Sequence, residues 1–472
     1  MDNKQKREQE LAFLASERKK NPGLFKTATY YDDAVFLEQI GIALPKELQE
    51  NLCAGYLKFL PQDFIVEEVL QDNSIQTIEK GDLMKAGAPD NGPTIYATLV
   101  KCGLSTIEAI EEISALWFID KKNIQYAGIK DQDAITSQLI SFTGTDLQKV
   151  QSISSPHFFL KDIHTGNDKV QVGKLLGNRF TILVRTDNNF NKDKFLRNLE
   201  FVQQNGFYNF YYSQRFSNPR FINWFWGLHI LKEDYKTAVM SALCSEGLRE
   251  NGYFKNLRES LLEHFGDWQA CRQVLANMTV SFHSEIKMLD YLKQHPTDFL
   301  GALQQIPEQV QLWVFAYPSL LFNRKISQNI RNNTAVPQQL PLLLSPDKND
   351  WAQYADFLQE DNMPINSKGL LKPFPFIMKK KRIVFTKEAV QIHDMKIIPE
   401  GVVLSFTLPK GCYATSFLSH MFQLVTGVPP KNISTQAIDT KDALGQNSMQ
   451  SILEQFKDIT IPKSENALDR FE

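Results

Sequence analysis

The chain has 472 residues, of which 43% are hydrophobic and 22% are charged. It is therefore long enough for more than one domain and apolar enough for a buried core, which excludes a disordered or fibrous protein. The formal net charge of −2 argues against a protein that binds nucleic acid with its whole surface, although a local basic groove is compatible with it.

Cysteine usage and the lack of long apolar runs predict a soluble protein of the cytoplasm. The five cysteines are far apart and form no CxxC pair, so the sequence indicates neither a zinc ribbon nor a disulfide framework. The N-terminus lacks the apolar core of a signal peptide. The most apolar stretch, near Val310–Phe322, is interrupted by Gln311 and Pro318, so no membrane-spanning segment is expected.

The first half of the chain mixes strand and helix patterns after a polar, partly helical extension over residues 1–50. A strand is predicted at Phe64–Val69, entered through a Pro-Gln-Asp turn. Ser105 and Glu108 have the spacing of a helix N-terminal capping box. The apolar residues that follow share one helical face, namely Ile110, Ile113 and Trp117. A helix is therefore expected to begin at this box.

The segment YAGIKDQDAITSQ, residues 126–138, contains the strongest candidate for chemistry. An aspartate near a glycine is ordinary turn chemistry, so the residues alone favour a turn role for Asp131 over a presented catalytic carboxylate. Asp133 is interpreted as a solvated turn acid. Adjacent strand residues face opposite ways, so Lys130 and Asp131 need not pair with each other.

The middle of the chain changes character near residue 206. A strand is predicted at Phe180–Arg185, followed by a helix at Lys192–Gln204 that Gly206 stops. From about residue 206 to 350 the chain is rich in aromatic residues and reads mostly as helix. This stretch is interpreted as a helical insertion.

Strand patterns return after about Trp351, at Arg382–Thr386 and Val402–Leu408, and a helix is predicted at Ala414–Leu424. The layout predicts an α+β protein. Its expected parts are an N-terminal extension at 1–50, a discontinuous domain at 51–205 and 351–472, and an insertion domain at 206–350.

Three other segments carry residues suited to RNA, and each has an ordinary alternative. Gly177-Asn178-Arg179-Phe180 is either part of a site or a loop with a core phenylalanine. Asn209–Phe216 interleaves aromatic residues with Arg215, which suits unstacked bases, although an aromatic core with one surface arginine is favoured by the segment alone. The basic run Lys379–Arg382 is more typical of a solvated face than of a nucleic-acid contact.

Motifs of other enzyme classes are absent. The sequence has no HExxH, GxSxG, Walker GxxxxGK[ST] or strand-following GxGxxG pattern, and its eight histidines are scattered. No metal site is therefore expected.

The pattern aromatic-Ala-Gly-x-Lys-Asp-x-x-Ala-x-Thr-x-Gln, matched from Tyr126 to Gln138, is long and specific. Four further segments match motifs of the same family in chain order, at Lys58–Phe64 with Glu68, Gly177–Phe180, Asn209–Phe216 and Leu408–Thr415. By these motifs the chain resembles the TruD family of RNA pseudouridine synthases, over roughly residues 55–425.

The resemblance implies a fold and a reaction. The fold would be a pseudouridine synthase core, a mixed or antiparallel sheet, with a largely helical TRUD insertion domain. The reaction would be the isomerisation of uridine to pseudouridine in RNA, most often at position 13 of tRNA. The partner would be tRNA or another structured RNA, no metal or organic cofactor is implied, and a monomer is favoured.

The resemblance also implies roles for particular residues. Asp131 would act on the sugar of an extruded uridine, as a nucleophile or as a base. Lys58 is favoured over Lys130 as the cation beside it. The expected substrate contacts are Asn178 to Asp131 or the uracil edge, Phe180 as a stacking platform, Phe64 and Tyr413 as walls, and Arg215 and Lys101 to phosphate.

The chain departs from the family motifs at several positions, notably Tyr212 and Ser217, which replace glycines, Pro318 in a helix expected to be peripheral, and Ser419 with His420 after the last motif. These departures keep an alternative open, namely an RNA-binding or tRNA-folding module with vestigial catalysis. An unrelated enzyme with chance motif matches is a third, remote reading.

Overall fold

The computed structural model describes residues 3–87, 92–344, 347–364, 371–377 and 382–462. The predicted basic run lies outside the described residues except for Arg382. Contacts divide the chain into two compact units. We call residues 51–207 and 389–462 the sheet unit, and residues 3–50 with 208–388 the helical unit. The domain limits drawn from the sequence stay a prediction.

The described residues form short and medium strands in both halves of the chain. They are β1 Thr29–Tyr31, β2 Cys53–Tyr56, β3 Phe64–Val69, β4 Ile75–Gln76, β5 Thr94–Cys102, β6 Ile124–Tyr126, β7 Ile135–Phe142, β8 Phe158–Gly166, β9 Gly177–Arg185, β10 Phe207–Tyr208, β11 Gln339–Leu342, β12 Arg382–Phe385, β13 Lys387–Glu388, β14 Gln391–Ile398, β15 Gly401–Pro409 and β16 Phe422–Gly427.

Helices are concentrated between residues 220 and 332. In chain order they are α1 Asn3–Lys20, α2 Ala34–Gln39, α3 Lys46–Gln49, α4 Thr106–Trp117, α5 Leu147–Gln151, α6 Lys192–Asn205, α7 Asn223–Leu231, α8 Tyr235–Cys244, α9 Gly252–Glu263, α10 Trp268–Val274, α11 His283–Leu292, α12 Phe299–Gln304, α13 Pro307–Arg331, α14 Lys348–Ala352, α15 Ala355–Glu360, α16 Ala414–Leu418, α17 Thr440–Ala443 and α18 Gln450–Gln455. Within the described ranges, none combines the length and hydrophobicity needed to cross a bilayer.

The sheet unit is built on a mixed sheet in the order β16-β2-β9-β3-β7-β5-β8, with β15 also on β9 and β14 on β15. The pairs β2–β16 and β3–β7 are parallel, whereas β3–β9, β5–β7, β5–β8 and β9–β15 are antiparallel. The predicted mixed-sheet α+β core is therefore confirmed. Since β3, β7 and β9 are adjacent, the sequence motifs that they carry meet in space.

The two faces of this sheet have different covers. Alternate residues of a strand face opposite sides, and α4 contributes Ile110 and Ile113 to a core with Leu99. On the other face, a cluster around Val100 is completed by residues at and around α18. The predicted capping box begins α4, because Ser105 Oγ accepts from the Glu108 amide at 3.2 Å while the Glu108 carboxylate accepts from the Ser105 amide at 2.7 Å.

The predicted helix at Ala414–Leu424 is wrong in its second half. Helix α16 ends at Leu418, and the chain then enters strand β16, in which Phe422 lies opposite Cys53 of β2. A short apolar run fits a helix or a buried strand equally well, and only pairing with a distant strand decides. Gly55 permits this pairing, because a Cβ atom there would lie 2.6 Å from Val184 and 2.9 Å from Phe422.

Helix α13 crosses the core of the helical unit. It has 25 residues with Pro318 inside it, and Pro318, Tyr317 and Leu321 are buried. Gly227 of α7 packs directly against its backbone, since a Cβ atom there would lie 2.0 Å from the Trp313 carbonyl oxygen. The expectation that Pro318 lies on a peripheral helix is therefore wrong.

Candidate active site

The segment that carries Asp131 connects β6 to β7 and is closed by side chains from two neighbours. The Lys130 amide donates to Thr106 Oγ1 at 2.9 Å, and the Thr106 hydroxyl donates to Gln138 Oε1 at 2.7 Å. Gln138 Nε2 donates in turn to the Gly128 carbonyl at 2.9 Å. The first turn of α4 and the strand β7 thereby fix the backbone that leads into the aspartate.

Asp131 is paired with Lys58, which lies between β2 and β3. Lys58 Nζ donates to Asp131 Oδ1 at 2.7 Å, with the two side chains 16% and 38% exposed. A turn aspartate ordinarily bonds backbone amides of its own turn, whereas this carboxylate bonds a side chain 73 residues away. Lys58 also has a left-handed backbone, with φ of 58°, and such strain in a residue with a side chain is typical of functional sites.

Lys101, on β5, supports the same segment from inside the protein. The side chain is fully buried, and its ammonium donates to the carbonyls of Leu104 at 2.6 Å and Asp131 at 2.7 Å. Burial lowers the pKa of Lys101 to about 7, against the opposing charge of Asp131. The expected contact of Lys101 with phosphate is wrong, because a fully buried side chain that holds backbone carbonyls cannot reach a ligand at the surface.

Lys130 faces the other way from Asp131 and lies between β3 and β9. Its Nζ atom lies 2.7 Å from Glu68 Oε1 and donates to Asn178 Oδ1 at 2.8 Å. Glu68 and Asn178 are directly opposite each other in the β3–β9 register. The Asn178 oxygen is thus engaged by Lys130, and the expected contact of Asn178 with Asp131 or the uracil edge stays a prediction.

Aromatic rings line the sheet next to this polar cluster. The ring of Phe180 lies edge-on to Phe64 at 6.2 Å and stacked on Phe406 at 5.3 Å. Phe64 and Phe180 are only 2% and 6% exposed, so in this structure the two rings form a packed wall. Lys58 Nζ lies 4.4 Å above the Phe64 ring and links the wall to Asp131.

Gly177 lies at the edge of the cluster, where β9 meets β15. A Cβ atom at Gly177 would lie 2.0 Å from the Leu408 carbonyl oxygen, so only glycine permits this approach. Tyr413 is half-buried and directly precedes α16. Arg215 belongs to the helical unit, where its guanidinium lies 5.3 Å above the Tyr211 ring.

The structure adds Thr106 to the residues found from the sequence. It was visible only as the first residue of a helix, and nothing in its spacing indicated a contact with Gln138 and Lys130. Across the described ranges, His, Cys, Asp and Glu form no group of three or more that could hold a metal ion.

A mixed sheet that carries an accessible, lysine-paired aspartate, a lysine-bound asparagine and packed rings is a candidate for a carboxylate-centred catalytic site. Residues 48–342 match the profile of tRNA pseudouridine synthase D (TruD). The chain therefore belongs to the TruD family, a family of isomerases.

Individual relatives agree with this assignment. A Methanococcus vannielii protein assigned to tRNA pseudouridine synthase D is 30% identical over 282 residues, which cover 60% of this chain and 70% of the relative. The tRNA pseudouridine synthase D of Aquifex aeolicus is 26% identical over 399 residues, which cover 76% and 98%. A crystal structure from Methanosarcina mazei assigned to TruD superimposes with a TM-score of 0.60 at 21% identity, over 82% and 97% of the chains, which shows a shared fold.

Proposed function

We propose that this chain isomerises uridine to pseudouridine in tRNA, at position 13, with Asp131 as the reactive carboxylate. Membership of the TruD family and the names of its relatives support the substrate class. The observation that carries the role of Asp131 is its 2.7 Å ion pair with Lys58 at 38% exposure. The carboxylate is thus held by a cation and is still accessible to a ligand. The cytoplasmic location and the monomeric state stay predictions.

The reaction breaks the N1–C1′ bond of uridine and joins C1′ to C5, while the C5 proton is lost and N1 gains one, so no oxidant or reductant is needed. Asp131 serves either as a nucleophile at C1′ or as a base at the ribose. Both routes need the anion, which is the ordinary form of an aspartate at pH 7. The Lys58 ammonium holds this anion in place.

The target uridine must leave its base stack, which costs a few kcal/mol. Contact with an aromatic ring returns about 1–3 kcal/mol per base. Because these terms nearly cancel, net affinity must come from contacts with phosphate. A chain with a net charge of −2 therefore needs locally concentrated basic residues to bind tRNA.

The test compares the wild type with Asp131→Ala on unmodified tRNA, with pseudouridine mapped at nucleotide resolution. We expect turnover by the wild type at position 13 and a loss of roughly a thousandfold or more in the variant, on the scale of removing a catalytic group. Asp133→Ala is the matched control, because Asp133 lies in the same connection and has no role in the proposal.

Full turnover by Asp131→Ala would remove Asp131 from the mechanism. A wild type that isomerises no uridine in any tRNA, but binds tRNA as tightly as Asp131→Ala does, would select the binding-module alternative. The departures that motivated that alternative have internal partners. Tyr212 donates to Asp32 at 2.6 Å, Ser419 Oγ donates to the Ser416 carbonyl at 2.8 Å, and His420 Nδ1 lies 2.8 Å from the same oxygen.

A further inference from the structure

Lys130 is a buried cation between two polar partners. Its side chain is 4% exposed and that of Glu68 is fully buried, with 2.7 Å between Lys130 Nζ and Glu68 Oε1. The other Glu68 oxygen accepts from the Leu139 amide at 3.0 Å. Glu68 therefore anchors the ammonium, which donates to Asn178 at 2.8 Å.

This arrangement determines which way the Asn178 carboxamide points. An ammonium has three donors and no acceptor, whereas a carboxamide has an oxygen acceptor on one side and an NH₂ donor on the other. If the amide were reversed, two donors would face each other in a buried place and lose the bond. The oxygen must therefore face Lys130, and the NH₂ group must face away from it. Asn178 as a whole is only half-buried.

We propose that Lys130 is a positioning residue that makes Asn178 a hydrogen-bond donor to the target base, so that Asn178 selects a base with a carbonyl oxygen at that place. This inference rests on the proposed function. The ligand group is a pyrimidine carbonyl, since uracil offers acceptors at O2 and O4. Cytosine has an amino group at position 4, so a donor aimed there would be left unpaired.

The contacts separate this role from that of Lys58. Lys58 donates to the carboxylate of Asp131, whereas Lys130 donates to the carboxamide of Asn178. Loss of Lys130 should therefore change recognition of the base more than the reaction at the sugar, which appears as a change in the preference among substrate bases.

The experiment measures kcat/KM on tRNA with uridine, 2-thiouridine or 4-thiouridine at the target position. Sulfur is a weak acceptor, so the wild type should lose about three- to tenfold on one of the two analogues, as for the loss of one neutral hydrogen bond. In Lys130→Met/Glu68→Gln the Asn178 amide can turn either way. The ratio of kcat/KM for uridine to that for the disfavoured analogue should then fall towards one. The paired change leaves no buried charge without a partner. Asn178→Asp, which presents only acceptors, should abolish the preference without changing the size of the side chain.

Lys441→Met is the matched control. Lys441 of α17 and Glu67 of β3 form another buried pair, 2.6 Å apart and 5% and 2% exposed, and Glu67 faces the opposite side of β3 from Glu68. This variant should lose stability and keep the wild-type ratio. An unchanged ratio in the Lys130 and Asn178 variants, or equal use of all three bases by the wild type, would overturn the inference while the proposed function stands. A wild type inert on uridine would overturn both.

Discussion

Lys101 is a charged side chain in a place that excludes water. Taking an ammonium out of water disfavours the charged form, and burial accordingly lowers the pKa of Lys101 from 10.5 to about 7. What keeps the side chain there is its contact with the carbonyls of Leu104 and Asp131. The buried ammonium therefore holds the backbone of Asp131, on which the proposed reaction depends, at a cost in stability.

This cost predicts how stability depends on pH. Above about pH 7 Lys101 is neutral in the folded state and charged in the unfolded state, so unfolding takes up a proton. The free energy of unfolding therefore rises with pH between about 7 and 10, by at most about 1.4 kcal/mol per pH unit from this group. Below pH 7 the full penalty is present. Urea unfolding of the wild type and Lys101→Met should show a difference that changes with pH in this window.

The control for this prediction is Lys192→Met, which removes an exposed lysine at the start of α6. Its free energy of unfolding, plotted against pH, should run parallel to that of the wild type. If the plot for Lys101→Met were also parallel to that of the wild type from about pH 6 to about pH 9, Lys101 would have to be charged in the fold.

At the scale of residues, the sequence motifs singled out Asp131 and Lys58, which form an ion pair, because each motif is a local pattern. The alternation of strand side chains also predicted that Lys130 need not pair with Asp131, and Lys130 indeed bonds Asn178. The role of Lys101 could not be found in this way. The sequence shows the same residue whether a lysine side chain contacts phosphate or is buried under a turn, because burial depends on the fold.

At the scale of elements, the sequence predicted a strand or a helix correctly where its start or stop signal was clear. The strand at Phe64–Val69 and the helix stopped by Gly206 were confirmed, the second with a left-handed Gly206 at φ of 71°. Strand β16 was missed, since its partner β2 lies more than 360 residues earlier in the chain and no local pattern records that pairing.

Another element-scale finding concerns Tyr212, which stands where the family motif has glycine. Tyr212 is 1% exposed and donates to Asp32, whose other oxygen accepts from Arg249 at 2.8 Å. Burial raises the pKa of Asp32, and the bonds from Tyr212 and Arg249 oppose that rise. The tyrosine that replaces the glycine of the family motif therefore ties the segment between β1 and α2 to the core of the helical unit.

Tyr212→Phe should destabilise the helical unit by about 1–3 kcal/mol, because it leaves a buried carboxylate with fewer donors. Since the cost applies to the charged form of Asp32, the loss should shrink as pH falls and the carboxyl is protonated. Chemical unfolding at about pH 7 and about pH 5 measures both effects. Asp267→Asn is the control, because Asp267 is an exposed cap of α10 in the same unit and asparagine serves equally well as a cap. A loss that does not vary with pH would mean that Asp32 keeps the same charge state at both pH values, which contradicts the prediction.

At the scale of the whole molecule, the residues that match the family are not the only ones that the fold needs. The family match ends at residue 342 and the motifs end near residue 415, yet residues 429–462 complete the back of the sheet unit. Met449, Ile452 and Phe456 are at most 1% exposed and share a cluster with Ile65 and Val100. Sequence motifs record the chemistry of a family, whereas this support needs only apolar side chains of suitable size.

Three buried side chains of this kind contribute about 5–9 kcal/mol by removal of apolar surface from water. Deleting residues 440–472 also breaks the Lys441–Glu67 pair, which leaves a buried carboxylate behind β3 and costs a further 3–5 kcal/mol or so. The sum is comparable with the whole stability of a domain, about 5–15 kcal/mol. The truncated chain should therefore fail to give a cooperative thermal transition for the sheet unit and should lose activity on tRNA.

The control truncation removes only residues 463–472, which are polar and lie beyond the described residues. It should unfold at the temperature of the full chain. Phe456→Ala separates packing from chain length, because it keeps every residue and removes one buried ring, at an expected 3–5 kcal/mol. If the chain truncated before residue 440 kept a cooperative transition and wild-type turnover, the front of the sheet would be self-sufficient, and the hydrophobic cluster behind β3 and β5 would have no part in holding Asp131, Asn178 and Lys130 in register.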